Sequence, residues 1–172
     1  MKNTKKLMFM SLMVAYSLIL YLIESTLPGL YFIAPGAKLG LSNIVSVTLL
    51  YIGGIQMAFS VLIVRIILSS IFGGGFSAFL YSVAGGICSV LAMGLIKKLN
   101  LKDVTEIGVS VIGSISFNIG QLLVAALMIN NISIFIYLPV LFYVSVATGV
   151  FVGYAAKFAI GKINKIIQIN LD

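Results

Sequence analysis

Seven residues of this chain carry side chains suited to holding something other than lipid: Glu24, Lys38, Asn43, Arg65, Tyr81, Asn118 and Gln121. Their chemistry suits recognition of a small polar or anionic ligand. Lys38 and Arg65 supply charge, Asn43, Asn118 and Gln121 orient by hydrogen bonds, and Tyr81 stacks or donates. Glu24 would contact a cationic group on the ligand or hold Lys38. Helical spacing gathers several of them: Ser114, Asn118 and Gln121 follow i, i+4, i+7, while Arg65/Ser69 and Ser77/Tyr81 are four apart. Each also has a plainer reading. Asn118 and Gln121 can bond neighbouring helices, Arg65 can pair with Glu24 or snorkel, Glu24 and Lys38 can anchor at an interface, and Tyr81 can join an aromatic belt.

Bond-making chemistry lacks its parts. There is no histidine to activate a serine, and Cys88 stands alone, so neither a disulfide nor a zinc, haem or iron–sulfur ligand set is available. The sequence holds no GxxxxGK[ST] phosphate loop. Its only acids are Glu24, Asp103, Glu106 and Asp172, too scattered to hold a diphosphate through magnesium. The chain reads as non-catalytic and free of cofactors.

The elements that position these residues must work in lipid. Of 172 residues, 61% are hydrophobic and 9% charged, against about 25% charged in a soluble domain. A hydrated surface cannot be built from that stock. The net charge of +7 does not point to nucleic acid, because the lysines punctuate apolar runs: Lys2, Lys5 and Lys6 before the first, Lys97, Lys98 and Lys102 in a central gap, and Lys157, Lys162 and Lys165 in the tail. A membrane helix takes roughly 20 apolar residues. The runs predict one all-α membrane domain, 1–172, with six spans at about 7–23, 39–52, 55–71, 76–96, 107–129 and 134–156, and a tail, 157–172, along the inner surface. Gly53-Gly54, Gly73-Gly74-Gly75 and Asn130-Asn131 supply the breaks. MKNTKK and its long apolar run read as a retained first span rather than a signal peptide.

Short basic segments mark the cytoplasmic side. With six spans, all three lysine clusters and both termini fall there, in a multi-pass membrane protein. The connection 24–38, within IESTLPGLYFIAPGAKLGLSNI, then lies outside, and the polar membrane residues lean toward it. One outward-opening pocket, lined by spans two to five and lidded by that connection, would collect them. Small residues four apart, Ser11/Ala15, Gly85/Ser89 and Gly149/Gly153, let helices approach closely. They serve internal packing or dock a partner membrane protein, with Ser11, Ala15, Gly149 and Gly153 the docking candidates.

At ESTLPG…APGAKLGLSNI, VRIILSSIFGGGFSAFLYSVAGG, FNIGQLLVA and YLPVL…ATG, the chain strongly resembles the bacterial Gx transporter family. That family is often labelled heptaprenyl diphosphate synthase component I and is related to the substrate-binding S components of energy-coupling factor (ECF) transporters. The resemblance covers about residues 7–156. It implies a six-helix bundle in the bacterial cytoplasmic membrane that binds a small molecule near the outer surface and docks onto a membrane T component driven by two ATPase subunits. The synthase label instead implies an accessory role beside a soluble enzyme that makes the menaquinone side chain.

Overall fold

The computed structural model describes residues 3–26, 40–99 and 104–169; Lys38 and the connection 27–39 lie outside them. Among the described residues, five helices are long and apolar enough to cross a membrane: α1 (Asn3–Thr26), α2 (Asn43–Ser69), α3 (Gly75–Lys98), α4 (Glu106–Ile129) and α5 (Leu138–Ile169). No strand occurs among the described residues.

The sequence predicts six spans, and the difference lies within α2. Gly54 there has φ 80° and ψ 179°, a conformation that essentially only glycine adopts. Arg65 donates a hydrogen bond to Ser42 Oγ, 23 positions earlier, whereas a straight helix would hold them about 35 Å apart. The chain therefore folds back at Gly54, and the two arms, 43–53 and 55–69, lie side by side. The first arm rises only about 16 Å, roughly half the 30 Å hydrocarbon layer. Lys97 caps its far end, donating to the Leu50 carbonyl at 2.6 Å with its ammonium 4.8 Å from the centre of the Tyr51 ring.

The other breaks follow the same logic. A π-helical turn, Ser70–Gly74, leads to Gly75 at φ 62°, where α3 begins. Asn130 ends α4 in the left-handed conformation, φ 51°, its N–H reaching the carbonyls of Ala126 and Leu127; this is a common helix stop. The tail does not form a separate surface segment. It continues α5 as helix to Ile169, because alternating lysines and isoleucines offer nothing that ends one.

Burial is inverted relative to a water-soluble protein. Leu127, Ile132 and Ile136 are about four-fifths exposed, while Arg65 is 3% and Glu24 7% exposed. Apolar side chains face outward because the solvent is lipid, and polar groups turn inward, where the bundle can satisfy them. Inside, Val45, Leu49, Leu62, Val90, Met93, Val109 and Val152 form the larger core.

Packing runs from helix to helix. Gly94 lies against Ile55 and Gly86 against Leu62, which seats α3 antiparallel to the second arm. Gly120 meets the Ala84 carbonyl, seating α4 on α3, and Gly85 receives Phe117 and Gln121. Gly149 and Gly153 are buried against the Cα atoms of Val111 and Ile107, so they hold α5 on α4 and are closed to a docking partner. The spacing was informative about close approach, but the occupant is the chain's own helix. Ser11 and Ala15 remain on the exposed side of α1. A Cβ at Gly153 would stand 2.7 Å from Ile107 Cα, a backbone atom that cannot swing away. Gly153→Val is therefore expected to cost about 1–3 kcal/mol, read as a lower thermal midpoint in detergent. Gly161→Ala, where the added methyl meets open space, should leave it unchanged or raised.

Candidate functional site

The entry to α2 is built around a carboxylate. Glu24, near the end of α1, accepts hydrogen bonds from Gly40 N–H at 2.6 Å and Leu41 N–H at 3.0 Å. These are N–H groups that a helix start leaves open, and a negative charge is favoured there. The chain then closes a tight turn, Asn43 N–H to the Gly40 carbonyl at 2.8 Å and Ile44 N–H to the Leu41 carbonyl at 3.1 Å. Gly40 has φ +75°, and a Cβ on it would meet Asn43 Nδ2 at 3.0 Å, so a larger residue would be strained there and would push the Asn43 side chain aside. Glu24→Gln removes the charge and one acceptor; it is expected to cost about 1–2 kcal/mol, seen as a melting temperature several degrees lower.

Arg65 reaches this turn from the second arm. It is buried, donates from one Nη to Ser42 Oγ, and has Glu24 and Tyr21 as electrostatic neighbours. Its Nε and the other Nη have no hydrogen-bond partner among the described residues. A guanidinium carries five N–H donors, and leaving them unpaired away from water costs several kcal/mol. The geometry thus offers a fixed cation with open donors, close to a turn whose own anion is already engaged by backbone.

Asn118 and Gln121 belong to another neighbourhood. Asn118 donates to Ser145 Oγ at 2.6 Å, and that hydroxyl donates on to the Leu141 carbonyl at 2.6 Å, tying α4 to α5. Asn118 Oδ1 has no partner among the described residues, and beside it a cavity of about 20 Å³ is lined by Asn118, Ser145, Leu122 and Leu141. That is room for one water molecule. Gln121 is 4% exposed, lies against Gly85 of α3, and has both amide atoms unpartnered among the described residues. Tyr81 packs on the smaller cluster of Leu122, Ala125, Ile134 and Leu141.

Of the seven expected ligand contacts, Glu24, Asn43 and Arg65 thus gather at the start of α2, while Asn118, Gln121 and Tyr81 sit among α3, α4 and α5. Lys38 lies outside the described residues. Ser42 and Ser145, the hydroxyls that hold Arg65 and Asn118, were not singled out from sequence, nor was Tyr21. A signal existed for Tyr21: it precedes Glu24 by three positions, one helix face, and both are buried.

Among the described residues no group of histidine, cysteine and acid side chains could hold a metal ion. Neither the curated proteins nor the solved structures compared with this chain match it. A family model does, over residues 13–159, described as heptaprenyl diphosphate synthase component I. The match spans most of the sequence and takes in both arms of α2, Arg65 and the α4–α5 contact. This membrane-helical chain therefore belongs to the heptaprenyl diphosphate synthase component I family.

Proposed function

We propose that this chain is a non-catalytic, membrane-embedded binding subunit that holds an anionic ligand against Arg65 and acts together with partner proteins. The observation that carries the reading is the guanidinium itself: buried, anchored by Ser42, and with Nε and one Nη open among the described residues. An ionised group that the fold desolvates and leaves partly unpaired is a functional site by default in a membrane protein. Glu24, Asn43 and Lys38 would complete this site. Asn118, Gln121 and Tyr81 stand apart from it, among α3, α4 and α5. By the lysine distribution both termini face the cytoplasm, and the bundle crosses the bacterial cytoplasmic membrane with six helical segments.

The family description favours one setting for such a subunit: the accessory membrane component of a heptaprenyl diphosphate synthase serving menaquinone side-chain synthesis. The chain would bring membrane and substrate to a soluble catalytic partner, because it has no acid cluster of its own among the described residues. Reconstitution tests this directly. A soluble prenyl diphosphate synthase from the same genome should gain activity or longer products when mixed with this chain in lipid. Activity indifferent to the chain removes the synthase setting.

A second setting is favoured by the position of Arg65, about 16 Å along the second arm from the lysine-rich Gly54 end and beside Ser42 at the start of the first. In that setting the chain is the substrate-binding, S-component-like subunit of a small-molecule importer, using the exposed Ser11/Ala15 face of α1 to meet an ECF T component with its two ATPase subunits. Mild-detergent purification should then recover those partners with the chain.

A further inference from the structure

We propose that the anion held by Arg65 is a monocarboxylate whose remaining atoms carry no charge. The proposal rests on the reading of Arg65 as the ligand-holding group and names the substrate class of that same site. It depends on neither of the two settings.

Which nitrogens are open decides the shape of the anion. Arg65 Nη1 donates to Ser42 Oγ, while Nε and Nη2 have no partner among the described residues. A guanidinium is planar, and its donors stand in a fixed fork. Nε–H and one N–H of Nη2 point the same way from one edge, as a parallel pair. Ser42 thus leaves that edge whole. Two parallel donors match the two oxygens of a single anionic group bidentately. A carbonyl or hydroxyl on a neutral ligand would meet one donor and leave the other buried and unpaired.

Phosphate oxygens fit the same edge, so charge decides between the two chemistries. Arg65 lies about 16 Å from the Gly54 end of its arm, roughly half of the 30 Å hydrocarbon layer, where unbalanced charge is costly. Its electrostatic neighbours are Glu24 and Tyr21, and neither is a cation. Lys97 is engaged elsewhere, at the Leu50 carbonyl. Adding Lys38, as proposed above, brings the fixed charges to a single excess cation. One negative charge balances it; the charge of a phosphate monoester, about −1.5 to −2 at neutral pH, exceeds it beside a buried carboxylate. The polar groups one helical turn from Ser42 and Arg65 on the same faces are Ser46 and Ser69, both buried hydroxyls. Ser69 Oγ donates to the Ile66 carbonyl at 3.0 Å and can still accept. Hydroxyls of this kind suit an uncharged body behind the carboxylate.

The test uses the full chain in phosphatidylcholine nanodiscs with two probes of one length, isotope-labelled butyrate and butyl phosphate. Both are titrated at mildly alkaline pH and read by ligand NMR line broadening against empty discs. Butyrate should bind saturably, and butyl phosphate at least tenfold more weakly. Butyramide, the uncharged isostere, should not compete. Arg65→Lys, which keeps the charge and loses the paired edge, should weaken butyrate about tenfold, with a thermal midpoint within a few degrees of the parent showing that it is folded. The comparison of the two probes on the parent stands whether or not that variant folds. Butyl phosphate binding as tightly as butyrate, or more tightly, overturns the monocarboxylate and leaves Arg65 as an anion site. Neither probe binding to the parent, or both binding to the folded Arg65→Lys protein as they do to the parent, overturns the proposal together with the reading beneath it.

Discussion

Arg65→Met is expected to abolish ligand capture and also to lower the stability of the bundle. Truncating a buried, hydrogen-bonded charge costs a bound partner about 2–5 kcal/mol, which is a loss of roughly 30- to several thousand-fold in affinity. The empty protein also loses by the change. Its guanidinium bonds Ser42 and has buried Glu24 as an electrostatic neighbour; removing it leaves that carboxylate without its cation, which costs about 3–5 kcal/mol when such a pair is broken from one side. A purely structural arginine, paired for the sake of the fold, would show the lower melting temperature with no change in bound small molecules by mass spectrometry. Arg65→Lys should restore the charge balance with Glu24 but little of the ligand capture, since a lysine ammonium cannot present the forked donors of a guanidinium. Ligand capture by the folded Arg65→Lys protein is the readout that separates the two.

The second large effect lies in the backbone. Gly54→Val is expected to disrupt the reversal of α2, because φ 80° with ψ 179° is closed to a β-branched residue. A Cβ built there meets nothing within 4 Å, so crowding contributes nothing and the cost is conformational. At least about 3 kcal/mol is expected, the upper end for a strained backbone position. With the reversal disturbed, the first arm no longer delivers Ser42 to Arg65, and Lys97 loses its hold on the Leu50 carbonyl. The measurable result is a sharp fall in folded yield from membranes, together with faster proteolysis between the arms. Parent-like yield and melting would show that the bend tolerates a side chain.

Much of this was legible in the sequence, and the reasons for the rest are physical. Lipid as solvent followed from the scarcity of charge. Four long apolar runs became α1, α3, α4 and α5 because each is apolar along its whole length and bounded by lysines, glycines or asparagines. The fold-back of α2 was visible as Gly53-Gly54, and the shortness of its first arm in the span 39–52; only its start was misplaced, because the turn at Gly40 delays the helix to Asn43. Helix faces were readable; their neighbours were not. Periodicity places Asn118 and Gln121 on one stripe of α4, yet which helices meet that stripe is decided by Gly120 against Ala84 and Gly149 against Val111, contacts between positions far apart in sequence. The same limit explains why a small-residue pair at Gly149/Gly153 looks alike whether it awaits a partner or packs at home. Arg65 was legible as a costly residue, and its partner Ser42 was not, because a serine at a helix start has an ordinary explanation.

The claim on which the account depends is that the open nitrogens of Arg65 receive an anion. The most direct measurement is an experimental structure of the chain purified from membranes in mild detergent. The account predicts density for a phosphate- or carboxylate-bearing molecule within about 3 Å of Arg65 Nε and its unbonded Nη, a charge-assisted hydrogen-bond distance. Density showing both nitrogens bonded by the chain's own side chains, with no room left for a ligand beside the start of α2, would contradict it.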